Sequence, residues 1–226
     1  MHDLIILTGA SRGLGLAMAR QLIAPGRALL CLSRQTSPEL AELARAQGAT
    51  VMQWPLDLVD GAGAAARLAP WLSQLDAPSL ASATLINNAG MIPRIGPLQD
   101  CPPEELTAAL RVGLEAPMLL TGAFLRATGA WVDAGWRGHR KVLNISSGLG
   151  RRAMAAQAPY CAAKAGLDHF TRCSALDEAQ RPHGARLVSL APGVIDTDMQ
   201  VQLRAGDPAA FPDLQRFVQL QRQGQL

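Results

Sequence analysis

Three side chains near the middle of the sequence have types and a spacing suited to proton transfer. Tyr160 and Lys164 are four residues apart, so a helix over this stretch would place both on one face. Ser147 follows the preceding apolar run, where its hydroxyl can hydrogen-bond the same reacting oxygen. An ammonium beside a phenol favours the phenolate, so we expect Lys164 to lower the pKa of Tyr160. The three residues predict general acid–base chemistry on a carbonyl or an alcohol.

A tyrosine and a lysine at this spacing also occur on solvated helix faces, and the pair alone favours that interpretation. The composition favours the functional one. Tyr160 is the only tyrosine, and Lys164 is one of two lysines beside 19 arginines. A lysine in a chain that otherwise uses arginine indicates that a compact ammonium is needed there.

A glycine-rich stretch near the N-terminus is predicted to bind a pyrophosphate. Residues 4–7 form a continuous apolar run, and Thr8–Gly15 follows with glycines at 9, 13 and 15. A helical pattern comes next and stops near Pro25-Gly26. Strand, tight turn and helix N-terminus in this order let backbone N–H groups approach phosphate oxygens. A glycine-rich turn is by itself weak evidence, and its place between the first strand and the first helix strengthens it.

The end of the second predicted strand indicates which dinucleotide is bound. In a protein that binds NAD, an acidic residue at this point holds the ribose 2′-hydroxyl. Here residues 28–33 end in Ser33-Arg34, and Arg12 lies in the glycine turn. Two cations in place of the acid predict a 2′-phosphate, and therefore NADP. The alternative is that both are simply exposed arginines in an arginine-rich protein.

The remaining patterns alternate between strand and helix, which predicts a doubly wound parallel sheet in a single α/β domain, residues 1–226. Strands are predicted at 4–7, 28–33, 50–56, 84–87, 141–146 and 186–191, and helices after Gly15, from Pro38 to about Gly48, and at 60–75, 104–129 and 158–179. The long helix is expected to have one core face, formed by Leu106, Leu110, Leu114, Met118 and Phe124. We interpret residues 130–140 as a polar connection. The amphipathic segment 197–226 is expected to cover the substrate.

Two further strand ends have side chains suited to a ligand. Asp57 follows the third predicted strand, where it either contacts the ligand or caps the next helix. Asn87-Asn88-Ala89-Gly90 closes the fourth strand, where the amides can bond backbone and the small Ala-Gly pair admits a flat ligand.

The composition excludes several classes of protein. Hydrophobic residues make up 49% and aromatic residues 4%, so we expect an aliphatic core. The net charge is +3 with no long basic run, which argues against a nucleic-acid partner. The four cysteines show no CxxC pairing and no histidine cluster, so we expect neither a metal site nor disulfides. The N-terminus does not resemble a signal peptide, and we expect no apolar run to reach the length of a membrane span, so a cytoplasmic protein is expected.

These motifs together resemble the short-chain dehydrogenase/reductase family over nearly the whole chain. Thr8–Gly15 resembles its TGxxxGxG motif, Asn87–Gly90 its NNAG motif, and Tyr160 with Lys164 its YxxxK motif. Pro192–Thr197 resembles the PGxxxT segment that closes over the nicotinamide. Within the family, Tyr160–Arg172 and Asp196–Gln200 are similar to the sepiapterin reductase and benzil reductase branch, which suggests diketone or pterin-type carbonyl substrates.

The resemblance implies an NADPH-dependent carbonyl reductase with Ser147, Tyr160 and Lys164 as the catalytic residues and no metal. It also implies a homodimer or homotetramer paired through the helices at 104–129 and 158–179. The alternative is a non-catalytic NADP(H)-binding regulatory or interaction protein. The residue patterns and the resemblance together assign the cofactor contacts to Gly9, Ser11, Arg12, Gly13, Leu14, Gly15, Ser33, Arg34, Asp57, Leu58, Asn88, Ala89, Gly90, Tyr160, Lys164, Pro192, Gly193, Val194, Ile195 and Thr197.

The sequence departs from the family pattern in two places. The family usually has an asparagine in its long helix, which anchors a water behind the lysine, and Gly113 stands at that position. We therefore expect Gly113→Asn to maintain or raise turnover, with a small gain in stability if the side chain fits. Members of the family also usually continue into a further helix and strand, so we expect an open sheet edge.

Overall fold

The fold was obtained as a computed structural model, which describes residues 2–225. Six parallel strands form one sheet in the order β3-β2-β1-β4-β5-β6, which confirms the predicted doubly wound architecture. The strand order reverses between β1 and β4, and ligands bind at such a switch point, beside the carboxyl ends of the strands. The strands are β1 (His2–Thr8), β2 (Arg27–Ser33), β3 (Thr50–Pro55), β4 (Leu80–Asn87), β5 (His139–Ile145) and β6 (Arg186–Leu190).

Helices cover both faces of the sheet, which explains why the strands are continuous apolar runs. Leu7 of β1 packs in one core with α1 and α2, and Ile6 packs in the other core with α3 and α5. Successive side chains of a strand point to opposite faces, so each face needs its own apolar set. The helices are α1 (Gly13–Leu22), α2 (Pro38–Gln47), α3 (Gly61–Ser73), α4 (Pro103–Leu110), α5 (Ala116–Asp133), α6 (Ala158–Ala179), α7 (Asp198–Arg204) and α8 (Leu214–Arg222).

A π turn, Arg111–Glu115, joins α4 to α5 in place of the uninterrupted helix that the sequence predicted. The wider turn contains an extra residue and rotates the faces of the helix beyond it. Phe124 is fully buried, as expected, but Met118 is exposed, so the predicted single core face was wrong. The residues that pack into the core are instead Val112, Ala116, Leu120, Phe124 and Trp131.

The expected polar connection at 130–140 was also wrong. Helix α5 continues to Asp133, and both Trp131 and Trp136 are buried in the core. Their rings meet edge to face with centroids 5.4 Å apart, and the Trp136 indole N–H donates to the Leu80 carbonyl at 2.8 Å. The polar residues beside the two tryptophans in the sequence led to the prediction of an exposed connection, although both tryptophans are buried.

The structure bears on two further expectations, one about membrane spans and one about the edge of the sheet. Within residues 2–225, the stretch Pro103–Asp133 is long and apolar enough to cross a membrane by length and composition alone, so the prediction that no run reaches that length was wrong. The core helix of a soluble protein passes the same test, and Leu120 and Phe124 of this stretch are fully buried. In the described part of the chain, β6 is an edge strand with Val188 and Leu190 exposed.

Candidate active site

One cavity of ≈ 820 Å³ lies at the carboxyl ends of the strands. Its lining includes every residue that the sequence predicted for catalysis or cofactor contact, from Gly9 in the glycine turn to Thr197 before α7. The structure therefore brings together residues that are far apart in the sequence. The roles of the individual residues stay predictions.

The glycine turn after β1 has a backbone that other residues would not fit. Gly9 and Gly13 have positive φ angles of 70° and 53°. A Cβ on Gly9 would lie 2.9 Å from the Ala89 Cα, and a Cβ on Gly15 would overlap the Gly9 carbonyl oxygen. The resulting cradle of bare backbone at the N-terminus of α1 fits a pyrophosphate.

The end of β4 holds this cradle in place. The Thr8 hydroxyl oxygen accepts hydrogen bonds from the backbone N–H groups of Asn88 at 2.9 Å and Ala89 at 3.0 Å. The Asn88 side-chain amide donates to the Thr8 carbonyl at 3.0 Å. Thr8 is thus a supporting residue that the sequence analysis did not single out, although it stands first in the glycine motif.

The cations predicted for the 2′-phosphate line the same cavity. The Ser33 hydroxyl accepts from the Ala10 N–H at 2.8 Å, which fixes the end of β2 against the glycine turn. Arg34 is exposed, and Arg12 lies 3.4 Å from the Asp198 carboxylate. An exposed ion pair of this kind contributes little, so Arg12 stays available to a phosphate. Asp57 accepts from the Val59 N–H at 3.0 Å, so it does cap the following turn.

Tyr160 and Lys164 lie on one face of α6, as predicted, and both are buried. The Lys164 Nζ is 5.7 Å from the centre of the Tyr160 ring and donates to the Ile145 carbonyl at 2.8 Å. A Cβ on Gly90 would lie 3.6 Å from this nitrogen. The ammonium is thus anchored to the end of β5, with further N–H donors to offer a ligand.

The predicted lowering of the Tyr160 pKa was wrong. Burial raises the pKa of Tyr160, the Ser147 hydroxyl opposes this effect, and Cys161 adds slightly to it. The phenol packs with Ile92, Leu203 and Phe217 in a third apolar cluster, which penalises the phenolate. Burial lowers the pKa of Lys164 to about 8, opposed by the Asp168 carboxylate. Tyr160 is therefore kept as the neutral phenol, which is the form that can donate a proton to a carbonyl oxygen.

The loop that follows β5 lines the cavity in part. Leu149, Met154 and Gln157 line the cavity, together with Phe217 of α8. Ser147 begins this loop, and its hydroxyl accepts from the Leu149 N–H at 3.2 Å. Arg152 lines the cavity, whereas Arg151 is not one of its lining residues, and the Arg151 guanidinium Nε lies 3.2 Å from the Asp168 carboxylate. Asp168 was missed in the sequence, although it lies one helical turn after Lys164.

Gly113 lies where another helix approaches closely. A Cβ on Gly113 would be 3.0 Å from the Cβ of Ala163, between Tyr160 and Lys164 on α6. The glycine thus permits the π turn to pack against the catalytic helix. No group of three His, Cys, Asp or Glu side chains is positioned to hold a metal ion within residues 2–225.

Comparison with known proteins agrees with this geometry. The family model described as short chain dehydrogenase matches residues 3–208. A benzil reductase ((S)-benzoin forming) of Bacillus cereus is 34% identical over 98% of this chain and 87% of its own length. A sepiapterin reductase of Xenopus tropicalis is 32% identical over 95% of this chain and 82% of its own length. A metagenomic short-chain oxidoreductase crystallised with NADP superposes with a TM-score of 0.70, at 31% identity over 88% of this chain and 87% of that one.

The chain therefore belongs to the short-chain dehydrogenase family, and it is an oxidoreductase of that family. The resemblance to the benzil reductase and sepiapterin reductase branch, inferred from the sequence around Tyr160 and Asp196, is confirmed.

Proposed function

We propose that this protein reduces a ketone or diketone carbonyl to an alcohol, with NADPH as the hydride donor. One observation supports this most directly. A buried, protonated Tyr160 lies beside Lys164 in the same cavity as a backbone cradle for phosphate. The cradle and the proton donor together meet the two requirements of the reaction, cofactor placement and protonation of the oxygen.

In this proposal each residue has one task. Bound NADPH supplies the hydride to the carbonyl carbon. Tyr160 donates its phenolic proton to the carbonyl oxygen, and the Ser147 hydroxyl orients that oxygen. Lys164 binds the ribose and stabilises the tyrosinate that forms when the proton has left. Pro192–Thr197 covers the nicotinamide.

The cofactor preference rests on the cations of the cavity. The glycine cradle leaves space that a Cβ would fill, which fits a dinucleotide pyrophosphate. Arg12 and Arg34 lie at the cavity where the 2′-phosphate of NADPH would be bound, and β2 ends in Ser33 with no acid. A related structure contains NADP. We therefore assign NADPH, and not NADH, as the preferred cofactor.

The substrate class follows from the apolar lining. Met154 from the loop after β5 and Phe217 from α8 lie in the cluster that contains Tyr160. The segment 197–226 thus covers the substrate in this proposal; residue 226 lies outside the described part. Diketones are the first candidates because benzil reductases are among the relatives. The closing of an apolar wall over the carbonyl also excludes water from the hydride.

We further propose a homodimer or homotetramer in the cytoplasm. Met118 and Leu119 of α5 and Leu176 of α6 are exposed, and an apolar surface of this kind fits a symmetric partner. Four free cysteines suit a reducing compartment. A monomer in light scattering at micromolar concentration would contradict the assembly.

The deciding experiment measures NADPH oxidation with benzil, aliphatic diketones, quinones and a pterin ketone as substrates. We expect turnover with at least one diketone and none with the corresponding alcohol. Tight NADPH binding without turnover of any carbonyl would instead support the non-catalytic alternative, a regulatory or interaction protein.

A further inference from the structure

We propose that Asp168 is a positioning residue that seats the substrate loop, residues 148–157, on α6 and places a counter-charge one turn behind Lys164. The inference rests on the proposed function in one respect, that Lys164 takes part in the reaction. It adds a link between the loop that would contact the substrate and the ammonium that would contact the cofactor.

The carboxylate of Asp168 joins three parts of the fold. It belongs to α6, accepts a hydrogen bond from the Ser189 hydroxyl of β6 at 2.7 Å, and accepts another from Arg151 Nε at 3.2 Å. Its side chain is 7% exposed, whereas that of Arg151 is 62% exposed. A buried anion thus holds an exposed loop residue by a charge-assisted hydrogen bond.

The backbone of the loop also packs closely against α6 beside Asp168. A Cβ on Gly150 would lie 2.9 Å from the Lys164 carbonyl oxygen and 3.0 Å from the Asp168 carboxylate. Any larger residue at Gly150 would displace the loop or the helix. The loop therefore rests directly on the turn between Lys164 and Asp168, and the adjoining Arg151 completes the attachment.

Asp168 also places a buried negative charge one helical turn after the buried Lys164, on the same face of α6. Burial lowers the pKa of Lys164 to about 8, and the Asp168 carboxylate is the group that opposes this change. Burial alone would raise the pKa of Asp168, but the hydrogen bonds from the Ser189 hydroxyl and the Arg151 guanidinium outweigh it. The net pKa of Asp168 is lowered, and the carboxylate stays ionised.

Of the other charged or titratable groups on the surrounding elements, Arg140 of β5 and Glu178 of α6 are buried, but they are paired with one another at the C-terminal end of α6. The exposed groups include Arg152 on the loop, His169 on α6, Arg186 on β6, and the Arg111–Glu115 pair on the π turn. Solvent screens such groups, so they affect a buried ammonium less than Asp168 does. Removal of the Asp168 charge should therefore lower the pKa of Lys164 further, and the ammonium would be lost at a lower pH.

The test uses the fact that the chain has two lysines, Lys141 and Lys164. Protein labelled with ¹³C and ¹⁵N in lysine alone gives two side-chain signals in NMR, and Lys141→Arg identifies the signal of Lys164. We expect the titration midpoint of Lys164 to fall by about one unit or more in Asp168→Asn. Asp168→Glu, which retains the charge, should keep the midpoint close to that of the wild type.

Enzyme kinetics give the second readout. The alkaline limb of the kcat/KM profile for carbonyl reduction should move to lower pH in Asp168→Asn. Arg151→Met, which frees the loop but retains the carboxylate, should raise KM without moving the limb to lower pH. Asp168→Ser is the second neutral variant if the asparagine variant does not fold.

An unchanged Lys164 midpoint in a folded neutral variant would overturn the proposal, as would an unchanged KM in Arg151→Met. Failure of the proposed function looks different. If the wild type reduces no carbonyl, the reductase assignment fails, whereas the lysine titration still decides whether Asp168 acts on Lys164.

Discussion

Helix α6 has two buried carboxylates, Glu178 near its C-terminus and Asp168 near its middle, and the two have different surroundings. Glu178 accepts from Arg140 of β5 at 2.8 Å and from the Ala185 N–H at 2.7 Å, and the Arg140 and Glu178 side chains are 2% and 5% exposed. Asp168 is paired with a hydroxyl and with Arg151, which is mostly exposed. Glu178 has an enclosed cation as its main partner, with the exposed Arg181 3.8 Å away, whereas the cation paired with Asp168 is the exposed Arg151 of the loop.

This difference separates the structural end of α6, around Glu178, from its first half with Tyr160, Lys164 and Asp168, which we call the reactive end. At the structural end, the buried charges of Arg140 and Glu178 are paired through the two terminal guanidinium nitrogens, so neither charge can be removed without a large cost. At the reactive end, Lys164 has a pKa of about 8 and Asp168 holds a residue that solvent can reach. Charges at the reactive end can therefore respond to pH and to ligands.

The largest expected effect is at the reactive end, in Tyr160→Phe. This variant removes the phenolic proton but keeps the ring that packs with Ile92 and Phe217. We expect kcat to fall by roughly 10²–10⁴, the usual contribution of a general acid, with little change in NADPH affinity. Steady-state kinetics and a cofactor titration check both parts. Full activity in this variant would refute the mechanism.

The next effect is at the structural end. Glu178→Ala leaves Arg140 buried without its partner, so we expect a loss of about 3–5 kcal/mol in the free energy of unfolding. Urea unfolding measures this loss. Arg140→Met combined with Glu178→Ala is the control, because it removes both charges and should recover part of the stability. If the single variant loses less than the double variant, the pair is not the stabilising element proposed.

Much of the fold could be predicted because its signals are local. Parallel strands buried on both faces are continuous apolar runs, and the glycine turn and YxxxK are short motifs. The features that the sequence did not predict depend on contacts across the chain. Arg140 meets Glu178, and Arg151 meets Asp168, only after β5, β6 and α6 have packed.

The same reason explains two wrong expectations at the site and in the core. The spacing of Tyr160 and Lys164 indicates that they share a face, but it does not report how deeply the phenol is buried, and burial determines the direction of its pKa shift. The π turn likewise has no propensity signal that distinguishes it from a continuous helix, so the face containing Met118 was assigned incorrectly.

Arg12 and Arg34 of the cavity are exposed, as Arg151 is, so they belong with the charges that can respond to a ligand. Arg34→Ala should weaken NADPH binding by about 1.5–3 kcal/mol through loss of a charge-assisted bond to the 2′-phosphate. NADH binding should change little. Fluorescence titration with both cofactors checks this difference. Asp198→Asn is the matched control, since it frees Arg12 and should not weaken NADPH binding. Equal or tighter binding of NADH by the wild type would contradict the preference.

The smallest effect concerns the contact between Gly113 and Ala163 at the reactive end. The gain in stability expected from Gly113→Asn is not supported by the spacing, because a Cβ there would lie 3.0 Å from the Ala163 Cβ. We now expect Gly113→Asn to cost about 1 kcal/mol from overpacking. Ala163→Gly should cost about the same through helix propensity.

The two substitutions together test whether the contact with Ala163 causes the loss of stability in Gly113→Asn. Ala163→Gly removes the Cβ that crowds the asparagine, so the double variant should lose less than the sum of the single losses, by about 1 kcal/mol in a double-mutant cycle. Urea unfolding of the four proteins gives that coupling. Turnover gives a separate readout, because the double variant restores an amide at the family's asparagine position without moving the helix that contains Tyr160 and Lys164. We expect its turnover at or above that of Ala163→Gly alone. Strictly additive losses would show that crowding at Gly113 comes from the π-turn backbone itself and not from Ala163.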